Sequence, residues 1–124
     1  MSAPSVSAAL TALAALAIPL ALTEAVELGF AAVVRRTGRG LGAVALVNVL
    51  TNPPVNALYA LTTAVAGLPA VPAAAVLEAA AVAAEGAVYR AWGGFRRPFL
   101  FSLCANALSF SAGLAFSAAL KLFS

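Results

Sequence analysis

The sequence predicts an all-α integral membrane protein whose single domain, residues 1–124, is a bundle of four transmembrane helices. Apolar residues make up 64% of the chain and charged residues 9%, whereas about a quarter of the residues of an average protein are charged. The apolar residues also form long runs, and about 20 of them in succession suffice for a helix to cross a hydrocarbon core of about 30 Å. These two observations predict the fold class.

Clusters of Gly, Pro and Arg divide the chain into four predicted spans. The first runs over residues 8–34 and ends at RRTGRG, and the second runs over residues 41–66 and ends at GLPAVP. The third runs over residues 73–92 and ends at GGFRRP, and the fourth runs over residues 99–120. We therefore expect a multi-pass chain with three short connections.

The basic residues indicate how the chain is oriented. The N-terminus and the middle loop have none and the C-terminus has only Lys121, whereas the first and third loops are rich in Arg. Short Arg-rich loops stay in the cytoplasm, so we expect both termini to lie outside the cell. The membrane that we expect is the cytoplasmic (inner) membrane of a prokaryote. The alternative to a signal for orientation alone is that these arginines also bind anionic lipid headgroups. They are Arg35, Arg36 and Arg39 in the first loop and Arg90, Arg96 and Arg97 in the third.

The two halves of the sequence match when they are shifted by 58 residues. The halves then form two helical hairpins, residues 8–66 and 69–124, in a parallel repeat whose axis lies along the membrane normal. At a rise of 1.5 Å per residue, the aligned polar side chains lie at similar depths, which predicts a polar layer slightly to the cytoplasmic side of the midplane. The aligned residues are Glu27 with Glu85, Arg39 with Arg97, Asn48 with Asn106, and Thr51 with Ser109.

All four carboxylates of the chain, Glu24, Glu27, Glu78 and Glu85, lie inside the predicted spans. Ionisable groups at this depth are costly, face the interior of a bundle and by default suggest function. Each of them could carry a proton or bind a cation. The alternative is that Glu and Asn only hold the helices together through hydrogen bonds worth about 1 kcal/mol each.

The segment LVNVLTNPPVNAL, residues 46–58, places three asparagines and two prolines in the second span. Because proline has no N–H to donate, Pro53 and Pro54 each free the carbonyl four residues earlier, and we expect the helix to be broken there. Free carbonyl and amide oxygens beside carboxylates suit Na⁺, Mg²⁺, Ca²⁺ or ordered water. The alternative is a proline kink whose freed groups are satisfied by neighbouring polar side chains.

Together these features predict a binding or coupling site in the interior of the bundle. Glu27 and Glu85 are the expected contacts of a metal ion, and no cofactor is expected. The full predicted set is Glu24, Glu27, Asn48, Thr51, Asn52, Asn56, Glu78, Glu85, Asn106 and Ser109.

Three segments resemble a group of small, uncharacterised prokaryotic membrane proteins with four spans. The group has a TNP-type segment, an E-x-x-x-Y motif and an S-x-x-x-N-x-x-S run. The matching residues are Thr51, Asn52 and Pro53, then Glu85 and Tyr89, then Ser102, Asn106 and Ser109. The resemblance covers most of the second half and the middle of the first, and it implies a four-span architecture without implying a function.

We interpret the sequence as a small membrane transporter or channel-like protein for a monovalent or divalent cation or a proton-coupled solute. Four short helices enclose little volume, so we expect a homo-oligomer or a larger membrane partner. The alternative is a structural or assembly subunit of a larger membrane complex. The absence of His and Asp and the single Cys104 argue against an enzyme, and two short Arg-containing loops do not form a nucleic-acid-binding module.

Overall fold

The structure, a computed structural model, describes residues 5–34 and 38–124. Within these ranges the chain is helical and contains no strand. The helices are α1 (Val6–Val33), α2 (Arg39–Ala60), α3 (Ala70–Val88) and α4 (Pro98–Phe123). All four spans are long and apolar enough to cross a membrane. The predicted four-helix bundle of a multi-pass membrane protein is confirmed.

The four helices form a ring in chain order. Each helix contacts the two beside it, so that α1 contacts α2 and α4, and α3 contacts the same two helices. Short connections make neighbouring helices antiparallel, and the bundle therefore has two distinct ends. We call the end that holds Arg39 and Arg97 the arginine end, and the end that holds Ala70 and Phe123 the opposite end. Arg35 and Arg36 lie outside the described residues.

Two connections between helices depend on glycine. Gly67 follows α2 and has a φ of 67°, and Gly94 follows α3 and has a φ of 68°. Glycine adopts this left-handed conformation without the steric cost that a side chain would add. A turn of π-helix precedes each glycine, at Leu61–Val65 and at Tyr89–Gly93.

The hydrophobic core lies at the arginine end and is largely aromatic. The ring centroids of Tyr89 and Phe95 are 4.7 Å apart, and those of Phe95 and Phe101 are 4.6 Å apart. Phe30 of α1 stacks on Phe101 at 5.2 Å. Small residues of the other helices complete this aromatic core, which closes the arginine end of the bundle. The buried apolar members are Ala31, Ala43, Val44, Val47, Tyr89, Phe95, Phe101 and Ala105.

The predicted break in α2 at Pro53 and Pro54 is wrong, because α2 continues through both prolines to Ala60. The φ that the proline ring imposes is itself helical, so the cost is a lost hydrogen bond rather than an impossible geometry. Neighbouring helices also hold this turn from two sides. Thr51 bonds to α3 through Glu85, and Asn52 bonds to α1 through Thr23.

Candidate functional site

A layer of buried polar side chains crosses the bundle beside the aromatic core, on the side facing the opposite end. All four helices contribute to it. Thr51 and Ser109 are half-buried, and its other members are almost inaccessible to solvent. These buried residues are Glu27, Asn48, Glu85, Ser102 and Asn106. Polar groups at this depth require partners from the protein, because lipid offers none.

Glu85 of α3 is the more extensively bonded carboxyl of this layer. Its Oε1 accepts a hydrogen bond from the Thr51 hydroxyl of α2 at 2.7 Å. Its Oε2 accepts from the Asn106 amide of α4 at 2.5 Å and, more weakly, from the Ser102 hydroxyl at 3.4 Å. We call Glu85, Thr51, Ser102 and Asn106 the Glu85 centre; it links three helices directly.

The partners of Glu85 are themselves held by the backbone. The Asn106 amide also donates to the carbonyl of Ser102 at 2.9 Å, and the Ser102 hydroxyl lies 3.0 Å from the carbonyl of Val82. Both side chains are therefore fixed in position, and both oxygens of the Glu85 carboxyl are satisfied.

Glu27 of α1 has fewer partners, although it is completely buried. Its Oε1 accepts a hydrogen bond from the Ser109 hydroxyl of α4 at 2.9 Å, whereas its Oε2 has no hydrogen-bond partner in residues 5–34 and 38–124. The Asn48 amide lies next to Glu27, yet neither of its polar atoms has a hydrogen-bond partner among the residues that the structure describes. We call Glu27, Asn48 and Ser109 the Glu27 centre; it has unused hydrogen-bonding capacity.

Three hydroxyls contact these carboxyls, and two of them, those of Thr51 and Ser109, each lie between a carboxyl oxygen and a backbone carbonyl of their own helix. Thr51 Oγ1 lies 2.7 Å from Glu85 Oε1 and 2.9 Å from the carbonyl oxygen of Val47. Ser109 Oγ lies 2.9 Å from Glu27 Oε1 and 3.1 Å from the carbonyl oxygen of Asn106. A hydroxyl has one hydrogen to donate and two lone pairs to accept with.

This sharing allows both protonation states of each carboxyl. An ionised carboxylate accepts the hydrogen of the hydroxyl. A protonated carboxyl donates its own hydrogen to the hydroxyl oxygen, and the hydroxyl then donates to the carbonyl. The change requires only that the hydroxyl hydrogen rotates, while the heavy atoms remain in place.

A polar cavity of about 140 Å³ adjoins the Glu85 centre. A buried water needs roughly 10–15 Å³ of such space and two to four polar partners, so the cavity could hold several waters or a hydrated ion. Asn52 and Asn56 line it, and the Asn56 amide donates to Asn52 Oδ1 at 3.0 Å. The carboxyl of Glu78 also lines it and forms no hydrogen bond or ion pair with any described residue.

Nine of the ten predicted site residues meet in the two centres and the cavity, while Glu24 stands apart. Glu24 lies one turn from Glu27 and does not line the cavity. Its two carboxyl oxygens are covered by protein, and no described residue forms a hydrogen bond with them.

The predicted set omits two residues that belong to this layer. Ser102 contacts Glu85, and Thr23 accepts a hydrogen bond from the Asn52 amide at 3.0 Å. Helical spacing is the signal that could have found them, because residues four apart share a face. Ser102 precedes Asn106 by four residues, and Thr23 precedes Glu27 by four.

The expected metal contacts at Glu27 and Glu85 remain a prediction. In residues 5–34 and 38–124, no three His, Cys, Asp or Glu side chains come together as a metal site. An ion between these two carboxyls would take its other ligands from amide, hydroxyl or carbonyl oxygens, which are ligands that hard cations prefer.

Comparison with known proteins adds neither a family nor a fold relative. No model of a known family, no characterised protein and no solved structure matches the chain.

Proposed function

We propose that the protein is a small membrane transporter or channel-like protein for a cation or a proton-coupled solute, and that Glu27 and Glu85 are its coupling carboxyls. The observation that carries this proposal is the position of the Thr51 and Ser109 hydroxyls. Each hydroxyl lies between a buried carboxyl oxygen and a backbone carbonyl oxygen. Such a pair can gain or lose a proton without rearranging the bundle.

The pathway that we propose begins at the opposite end of the bundle. It passes through the polar cavity at Glu78, reaches the Glu85 centre and continues to the Glu27 centre. Beyond this layer, the aromatic core closes the bundle at the arginine end. Passage across the whole membrane therefore requires this core to open, or a second copy of the chain to complete the path. On this proposal the arginine end faces the cytoplasm of a prokaryote.

The hydrogen bonds between the predicted hairpin repeats support this proposal. Glu27 of the first hairpin bonds to the hydroxyl of the second, and Glu85 of the second bonds to the hydroxyl of the first. Because Thr51 and Ser109 are aligned by the shift of 58 residues, a two-fold axis along the membrane normal would produce this exchange of partners. We therefore include the internal repeat in the proposal.

The proposal is tested by proton flux in reconstituted vesicles that contain a pH-sensitive dye. Glu27→Gln and Glu85→Gln each remove the titrating proton and preserve side-chain size, and we expect either change to abolish flux driven by a cation or pH gradient. Ser111→Ala is the control, because the Ser111 hydroxyl is exposed on the bundle surface and bonds only to the carbonyl of Ala107. Unchanged flux in both Gln variants, at matched protein content, would contradict the proposal.

A structural or assembly subunit is the second candidate, and one observation favours it. Glu85 contacts Thr51, Ser102 and Asn106 directly, as side chains that only hold helices together would. This candidate predicts that the protein copurifies with a larger membrane partner. It also predicts that Glu85→Gln lowers the amount of protein in the membrane, while the purified wild-type protein shows no flux.

A further inference from the structure

An apolar groove occupies the half of the bundle toward the opposite end. It has a volume of about 1120 Å³ and is walled by residues of all four helices. It extends from Ala70 and Leu120, near the opposite end, to Asn106 at the polar layer. The bundle is thus filled by aromatic rings at one end and open at the other.

The groove combines apolar walls with one ionisable group. Its walls include Ile18, Leu22, Val71 and Leu114, and Glu78 is the only acidic or basic side chain among the described residues that line it. Burying a carboxylate without a partner is costly, and a cation beside it would offset that cost. The chemistry of the groove therefore favours a ligand with an apolar body and a positive charge.

Glu78 also lies where the groove meets the polar cavity. Glu78, Asn56 and Phe110 line both spaces, so the charged end of a ligand in the groove would lie next to the cavity. Phe110 and Tyr59 add aromatic rings near this position, and aromatic rings attract organic cations.

We propose that the groove binds a hydrophobic organic cation, an ammonium or phosphonium ion with apolar substituents, with its positive charge beside Glu78. The inference rests on the proposed transport function and deepens it by naming the class of solute. In that function, the organic cation is exchanged for a proton carried by Glu85 or Glu27. The volume is comparable to the roughly 300–1,000 Å³ of pockets that hold drug-sized ligands.

Other occupants fit fewer of these features. A lipid acyl chain would match the walls but would leave the Glu78 carboxyl without a partner. An organic anion would be repelled by it. A small inorganic cation would be accommodated by the polar cavity and would make no use of the apolar walls.

Equilibrium binding to the full-length protein in lipid nanodiscs tests the inference. The probe is tetraphenylphosphonium, and tetraphenylborate, an anion of nearly the same size and shape, is its matched control. We expect saturable binding of the phosphonium ion and none of the borate ion. Glu78→Gln removes the one ionic contact of the ligand, so we expect the dissociation constant of the phosphonium ion to rise about tenfold or more.

A second variant tests the apolar part of the site without changing its charge. Ala74 lines the groove and is half-buried, and Ala74→Phe should weaken phosphonium binding about tenfold by occupying the space. Ser111→Ala, on the surface of the bundle, should bind as the wild type does. The inference is overturned if the wild type shows no saturable phosphonium binding, if it binds both ions equally, or if Glu78→Gln and Ala74→Phe both bind with wild-type affinity.

This measurement is separate from transport. Glu27 does not line the groove, so Glu27→Gln should retain phosphonium binding even where it abolishes flux. If the wild type binds the phosphonium ion but shows no flux, the proposed transport function is overturned and the proposed binding site stands. Proton flux without phosphonium binding would overturn this inference alone.

Discussion

The Glu27 centre and the Glu85 centre contain the same kinds of side chain, a carboxyl, an amide and a hydroxyl, yet they are bonded to different extents. Both oxygens of Glu85 accept hydrogen bonds, and Asn106 contacts Glu85 directly. At the other centre, one oxygen of Glu27 and both polar atoms of the Asn48 amide have no partner in the described part of the chain. The satisfied centre is suited to holding helices together, and the unsatisfied centre can accept a further proton, water or ion.

On the proposed internal repeat, one aligned position accounts for part of this difference. The shift of 58 residues aligns Ser102 of the Glu85 centre with Val44, which is fully buried and has no hydroxyl. The Glu27 centre consequently lacks one donor. An unsatisfied buried polar group costs about 1–3 kcal/mol, so the protein maintains the Glu27 centre at the expense of stability.

Removing each carboxyl is the strongest way to test this comparison. Glu85→Ala leaves Thr51, Ser102 and Asn106 without their common acceptor, and we expect the free energy of unfolding to fall by roughly 2–5 kcal/mol, the sum of three bonds at about 0.6–1.7 kcal/mol each. Glu27→Ala loses only the bond from Ser109 and should cost about 1 kcal/mol. Unfolding measured in detergent or bicelles would show the difference. Equal losses at the two positions would contradict the asymmetry.

The two asparagines should give an effect of intermediate size on the free energy of unfolding. Asn106→Leu preserves side-chain volume approximately and removes the bonds to Glu85 and to the backbone of Ser102, so we expect a loss of about 1–2 kcal/mol. Asn48→Leu replaces an amide that has no partner, and should be neutral or stabilising. The same unfolding measurement applies to both. A destabilised Asn48→Leu variant would show that Asn48 is bonded in the membrane.

The hydroxyls should give small effects, and here the two centres should behave alike. Double-mutant cycles that combine Glu27→Leu with Ser109→Ala, and Glu85→Leu with Thr51→Val, isolate the coupling within each pair, because leucine offers the hydroxyl no acceptor. We expect about 1 kcal/mol in both cycles, because each pair shares one hydrogen bond. Coupling in only one cycle would show that the two hydroxyls do not bond to their carboxyls in the same way, and would contradict the observation on which the proposed function depends.

The positions of the spans and the common level of the polar side chains along the bundle could be predicted because both follow from properties along the chain. Apolar length defines the helices, and the rise per residue brings Glu27, Asn48, Glu85 and Asn106 to one level. Which groups bond could not be predicted in this way. That Glu27 contacts Ser109 rather than Asn48 depends on the rotation of each helix about its axis, which the spacing of polar residues leaves undetermined.

Two other features also depend on tertiary packing. The continuity of α2 at Pro53 and Pro54 depends on Thr51 and Asn52 bonding to two neighbouring helices, and local propensity alone favours a break. The apolar groove arises because the aromatic residues that fill the bundle lie almost entirely at the arginine end. The side chains facing the groove, such as Val71 and Ala74, are ordinary span residues in the sequence.

The uneven filling of the bundle has a consequence for local stability. Segments with few buried contacts open with less free energy than the packed core, so local opening should begin at the groove, near Ala70 and Leu120. Such an opening reaches Glu78 first, then Glu85, which lines the polar cavity, and last Glu27, which does not line it. The order in which the carboxyls become accessible to water, and hence exchange protons, is thus set by packing.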